Sequence, residues 1–253
     1  MKKTGWGLIF LLSLAACKQT GEKAEEKALS AQDIIDKSIA VSGGEKFDKK
    51  RITFNFRGTT YVSERKNWHY QLERITTDSV KTTRDVLNND GFSRYIDEKP
   101  VTVPDSMVSR YSNSVNAVHY FAYLPYGLND KAVQKELLGE VTIKGKEYYK
   151  IKVTFEKEGG GKDHEDIYVY WIDREAFTVD YLAYQFQVNG GGMRFREAYH
   201  PRTVKGIRFV DYHNFKPATP GATLYELDRL FEAGKLEPIS EIVLEDIRVE
   251  PVM

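Results

Sequence analysis

The sequence has one cysteine, Cys17, in 253 residues, so an intramolecular disulfide is impossible and a disulfide framework is excluded. It also lacks net charge. With 37 Lys and Arg against 37 Asp and Glu, it has no basic excess of the kind that holds nucleic acid. Beyond the N-terminus no segment approaches the roughly 20 apolar residues that span a bilayer. There is no Gly-x-Ser-x-Gly elbow, and none of the many acidic pairs stands out as an acid/base couple. No low-complexity linker interrupts residues 30–253. At 41% hydrophobic residues the chain can bury one sizeable core, which predicts a single domain over 30–253.

The N-terminus reads as a targeting segment rather than as structure. Lys2 and Lys3 precede a short apolar run over 5–14, and the small residues Ala15 and Ala16 precede Cys17. Leu14-Ala15-Ala16-Cys17 resembles the lipobox of bacterial lipoproteins. That resemblance implies a signal peptide over 1–16 and lipidation of Cys17, giving a membrane partner through its acyl chains. Each buried acyl CH₂ contributes about 0.8 kcal/mol, so several chains anchor stably. Residues 17–29 then form the lipidated cysteine and a tether rich in Lys and Glu, with almost nothing to bury. Lys18, not aspartate, follows the cysteine; by the sorting rule of Gram-negative lipoproteins this implies the outer membrane. The expected address is the cell envelope, lipid-anchored at the outer membrane.

What the sequence has in abundance is β-forming segments. Residues 167–172, 177–188, 193–200 and 207–215 read as consecutive strands, joined by turn chemistry at 173–176, at Asn189-Gly190 and at Lys205-Gly206. In 193–200, Met193, Phe195 and Tyr199 share one face while Arg194, Arg196 and His200 share the other, the pattern of one covered and one wet side. In 167–172 both faces are apolar, so something must pack over each. Upstream, Ser30 and Asp33 form a capping box for a helix over 31–42, which Gly43-Gly44 stops. Strands follow over 52–57, 68–74 (Trp68, Tyr70 and Leu72 on one face), 81–87 and 91–97. A second helix runs from Pro104-Asp105 to about Tyr123. Its stripe is Val108, Tyr111, Val115, Val118 and Ala122, with Ser109, Asn113 and Asn116 opposite. A hairpin about Gly145, a short helical segment over 224–233 and a last strand over 239–249 complete the chain.

This order predicts a mainly β, α+β fold: a curved antiparallel sheet forming an incomplete barrel, with helices over its concave face. The opening Asp33-Ile34-Ile35-Asp36-Lys37 to Gly43-Gly44 helix, the first strand over 52–57 and the tip Tyr170-Trp171-Ile172-Asp173 carry a resemblance. The chain resembles the LolA/LolB-like lipoprotein-carrier fold and, more narrowly, an uncharacterised family of bacterial envelope lipoproteins with that fold. The resemblance implies carriage or binding of an apolar ligand.

If the second helix plugs the concave face, Val108, Tyr111, Val115 and Val118 should meet inward aromatics such as Trp171, and these five are the candidate ligand-binding residues. His200 and His213 lie near the ends of neighbouring strands, and Asp211 shares a face with His213; spacing alone makes them a candidate metal set. Asp163-His164-Glu165-Asp166 is densely titratable, but adjacent strand residues point to opposite faces, so a solvated turn is the simpler reading. His119 reads as a satisfied core or rim histidine, and His69 as outward-facing. The expected function is a non-enzymatic binder or carrier of an apolar ligand such as an acyl chain, needing no cofactor and no nucleic acid. Two alternatives stay open: an interaction subunit with an envelope protein partner, or a metal-dependent hydrolase using His200, Asp211 and His213.

Overall fold

The computed structural model describes residues 28–158, 165–187 and 190–252. The leader, Cys17, most of the tether, and Asp163 and His164 lie outside the described residues. Helix α1 (Ala31–Val41) starts as expected: the Ser30 side chain accepts from the Asp33 N–H while Asp33 accepts from the Ser30 N–H. Six strands follow: β1 (Lys50–Phe56), β2 (Thr59–Lys66), β3 (His69–Thr77), β4 (Thr82–Asn88), β5 (Gly91–Ile96) and β6 (Lys99–Val101). Helix α2 (Asp105–Ala122) crosses to a second series: β7 (Val133–Ile143), β8 (Lys146–Phe155), β9 (Ile167–Asp173), β10 (Val179–Phe186), β11 (Gly192–Val204) and β12 (Ile207–Pro217). Helix α3 (Leu227–Glu232) leads into β13 (Leu236–Ile242) and β14 (Glu245–Pro251). Among the described residues no helix is long and apolar enough to cross a membrane.

The strands make two antiparallel seven-stranded sheets, ordered β14-β1-β2-β3-β4-β5-β6 and β13-β12-β11-β10-β9-β8-β7. The sheets are joined by the chain itself. What reads in sequence as one last strand is split at Val243-Leu244: β13 pairs with β12, and β14 pairs with β1. The result is an open curved surface, not a closed barrel, as the period-two pattern and the interspersed helices predict.

Strand β9 shows why both its faces are apolar. Tyr170 and Ile172 enter a core with Ile34 and Ile35 of α1 and Leu182, Val210 and Tyr212 of the neighbouring strands. Val169 and Trp171 enter another, on the far side of the sheet, with Phe195, with Leu224 in the turn before α3 and with Leu227 at its start. Helices α1 and α2 therefore cover the concave side, and α3 the convex side. The sequence reading assigned helices only to the hollow.

Three local expectations need correction. Strand β2 was not foreseen, because its strand formers end at Val62 and the segment then turns polar. Trp68 does not share a strand face with Tyr70 and Leu72. It follows Asn67, whose φ of 59° turns the hairpin, and its ring is 73% exposed. Pro201 does not open a loop: β11 runs on to Val204, with a register shift between Tyr199 and Arg202 that removes Pro201 from the ladder. A bulge is one of the few places a strand tolerates a residue without an N–H.

Candidate functional site

Helix α2 has two apolar flanks, each serving a different sheet. Val115 is fully buried, Tyr111 stacks on Phe92 of β5 with centroids 6.0 Å apart, and the Arg94 guanidinium lies 3.7 Å over the Tyr111 ring. Val118 and Ala122 pack with Phe54 and Tyr61 of β1 and β2. The stripe expected to touch a ligand is thus the flank that fixes α2 to the first sheet, with Val108 half-buried at its start. The other flank, Asn113, Asn116, Ala117, Tyr120, Phe121 and Leu124, roofs a cavity of about 400 Å³ against the second sheet.

The cavity floor comes from registered strand rows. Tyr168 of β9, Tyr184 of β10 and Arg194 of β11 form one row, and Leu182 and Arg196 line the next, where their partner Tyr170 is buried behind the lining. Phe155, Phe186 and Asp166 complete the wall. The rings interlock: Tyr168 stacks on Tyr184 with centroids 5.4 Å apart, and Phe155 meets Tyr168 edge-on at 5.7 Å. The Tyr120 and Tyr170 hydroxyls hydrogen-bond at 3.1 Å across the helix–sheet gap. Burial holds the phenols of Tyr120, Tyr168 and Tyr170 well above the ordinary tyrosine range, so they stay protonated and neutral. The volume lies within the range of small-molecule pockets, roughly 300–1,000 Å³. A half-open cavity with this many rings can hold an apolar chain.

None of the five residues selected from sequence lines this cavity. Val108, Tyr111, Val115 and Val118 face the first sheet, and Trp171 faces away from α2 altogether. The Trp171 indole N–H donates to Asp228 of α3, at 3.1 Å. The reason is parity: Trp171 and Tyr170 are adjacent on one strand and point to opposite faces, and it is Tyr170 that looks inward. Two signals for the true lining were legible. Ala117, Tyr120, Phe121 and Leu124 recur at helical spacing as a second stripe beside the chosen one, and Arg194 and Arg196 alternate with Phe195. The alternation was read with the arginines in bulk water, whereas they border the cavity.

The proposed metal residues do not converge. Asp211 is buried, with Oδ2 at 2.8 Å from the His200 Nδ1 and Oδ1 accepting from the Leu244 N–H and the Arg202 guanidinium, both at 2.9 Å. The His213 ring stacks on Tyr199 with centroids 4.0 Å apart, and its Nδ1 lies 3.6 Å from Glu241. Among the described residues no three His, Cys, Asp or Glu side chains are placed to hold a metal ion. His119 is a core histidine, as its place beside the stripe suggested. Its Nε2 lies 3.1 Å from the Glu73 carbonyl and must donate to it, which leaves Nδ1 to accept from the Tyr123 hydroxyl at 3.3 Å. Burial, helped by the charge of Arg65, pushes its pKa down to about 3, so it is neutral at physiological pH.

An open antiparallel sheet with helices seated in its hollow and a cavity under one of them defines a LolA-like fold. The comparison of structures agrees. The chain is similar to a LolA superfamily protein from Nitrosomonas europaea, with a TM-score of 0.51 and 11% identity over 87% of this chain and 94% of that one. It is also similar to a DUF1329 family protein from Desulfovibrio piger, at a TM-score of 0.41 and 10% identity over 87% of this chain and 93% of that one. By sequence, the chain belongs to a family of unknown function, DUF6503, whose profile matches residues 9–245. No curated protein matches it.

Proposed function

We propose that this protein is a lipid-anchored bacterial envelope protein that binds an acyl chain or similar apolar ligand in the cavity beneath α2, without catalysing a reaction on it. The observation that carries this reading is the aromatic cavity of about 400 Å³ between α2 and the concave face of the second sheet. The LolA-like fold supports it by analogy only, since one fold hosts many functions. Residues 30–253 are the binding domain in this reading, 17–29 the lipidated tether, and 1–16 the leader that is removed.

The cavity is tested by filling it. Ala117 is exposed and lines the cavity, so Ala117→Trp should obstruct the space without opening the core. An environment-sensitive apolar dye, titrated into the protein lacking residues 1–17, should bind the parent, and the variant should lose at least tenfold in affinity with Tm unchanged. A parent that binds no apolar dye would turn the reading over to the interaction-subunit alternative.

The anchor is tested separately. Cys17→Ser should move the protein from the membrane to the soluble fraction after lysis, and should abolish incorporation of radiolabelled palmitate. Undiminished label in the variant would place the acyl chain elsewhere and end the lipobox assignment.

A further inference from the structure

We propose that the cavity's ligand is a single-chain anionic amphiphile, whose carboxylate or phosphate is held by Arg194 and Arg196 while its tail lies among the rings. This inference rests on the acyl-binding reading and adds the charge of the headgroup to it.

The cavity wall holds two arginines against one carboxylate, Asp166, a formal excess of one positive charge in an otherwise aromatic and amide-lined space. Arg194 and Arg196 are two residues apart on β11, so both project from the same face. Their surroundings are rings rather than acids. Arg196 lies 5.0 Å from the Phe121 ring centroid and 5.1 Å from that of Tyr184, and Arg194 lies 5.0 Å from that of Phe186. These contacts set the guanidinium groups against ring faces. The acceptors they meet are neutral: Arg196 Nη2 donates to the Tyr184 hydroxyl at 3.1 Å, and Arg194 Nη1 to the adjoining Met193 carbonyl at 2.8 Å. The Arg196 Nε is buried with no acceptor among the described residues. An unmet buried donor on a cation is costly, and an anionic oxygen is the partner that removes the cost. A guanidinium fork matches the paired oxygens of a carboxylate or phosphate. Beyond Tyr184, Tyr168 of β9 and the Phe155 ring against it continue the aromatic wall away from β11, so a head at the arginines directs the tail beneath α2.

The test uses three ligands with one dodecyl chain: dodecanoate, monododecyl phosphate and dodecanol. Each displaces the bound dye from the parent protein and from the Arg194→Gln/Arg196→Gln variant. The anions should bind the parent more tightly than dodecanol, and the variant should lose about 10- to 100-fold for the anions, the range for a hydrogen bond to a charged group, with dodecanol unchanged. The ratio of dodecanoate to dodecyl phosphate in the parent then assigns the headgroup. If dodecanol binds the parent as tightly as the anions, the headgroup inference is overturned while the cavity reading stands. If no dodecyl ligand displaces the dye, both fall. Displacement by inorganic phosphate alone, without a chain, would also overturn it, because the site would then be a small-anion site. If the double variant fails to fold, Arg194→Gln alone carries the comparison, since that side chain bonds only its own strand's carbonyl; an unaltered preference for anions there would overturn the clamp as drawn.

Discussion

Asp228→Ala should destabilise the protein by about 3–5 kcal/mol, the cost of stranding a buried charge by removing its partner. Asp228 sits in the single short turn of helix that covers the convex face of the second sheet. Its Oδ2 accepts from the Lys150 ammonium at 2.7 Å and from the Trp171 indole at 3.1 Å, and Lys150 also donates to the Tyr225 carbonyl at 2.6 Å. Lys150 and Trp171 are register partners on β8 and β9, so the carboxylate fastens α3 to a cross-strand pair. The Lys150 and Asp228 side chains are 10% and 5% exposed, which leaves solvent little part in compensating the loss. Urea unfolding would measure the effect. The double variant Lys150→Met/Asp228→Leu should recover most of it, because a well-packed apolar pair of similar volume can replace a buried ion pair with little loss. If single and double variants lose equally, the stability resides in the packing of α3 and not in the charge.

Asp211→Ala is expected to cost about 3 kcal/mol, the combined price of leaving a buried N–H and a guanidinium without their acceptor. Asp211 holds the point where the last strand leaves one sheet for the other. Its Oδ1 takes the Leu244 N–H, and Arg202, which shares that oxygen, donates to the Leu244 carbonyl at 2.6 Å. The carboxylate and the guanidinium together satisfy both backbone groups of Leu244, one of the two residues between β13 and β14. Hydrogen exchange at the Leu244 amide should accelerate by orders of magnitude in the variant, while amides in β3 and β4 should follow only global stability. A Leu244 amide that exchanges as slowly in the variant as in the parent would remove Asp211 from this role.

Of the residues proposed as a metal set, Asp211 with His200 beside it therefore belongs to the joint between two sheets while His213 packs on Tyr199, and the reason sequence suggested otherwise is instructive. Spacing along β11 and β12 placed His200, Asp211 and His213 near one another, and His200 does meet Asp211. Spacing could not reveal that Leu244, far along the chain, would claim the other oxygen. The same limit governs the cavity. Helix α2, its start at Asp105 and its apolar character were legible because they are local and periodic. Which flank faces which sheet depends on the angle at which α2 crosses the hollow, and that angle is set by contacts such as Tyr111 on Phe92 that no window of sequence contains. Strand β9, apolar on both faces, announced that it would be covered twice, and it is. That the second cover is a six-residue helix tied by one carboxylate is a long-range fact, as is the inward turn of Tyr170 rather than Trp171.

The shared last strand also has a consequence for the order of assembly. Ile52 near the start of the chain pairs with Val249 near its end, so the first strand has one flank empty until the C-terminal segment arrives. A contact spanning almost the whole chain is the slowest kind to form, because loop closure must precede any gain from it. Synthesis makes β1 first and β14 last. The growing chain therefore carries an open edge on β1 until residues 245–251 are made, and the two halves of the hollow lock together only then.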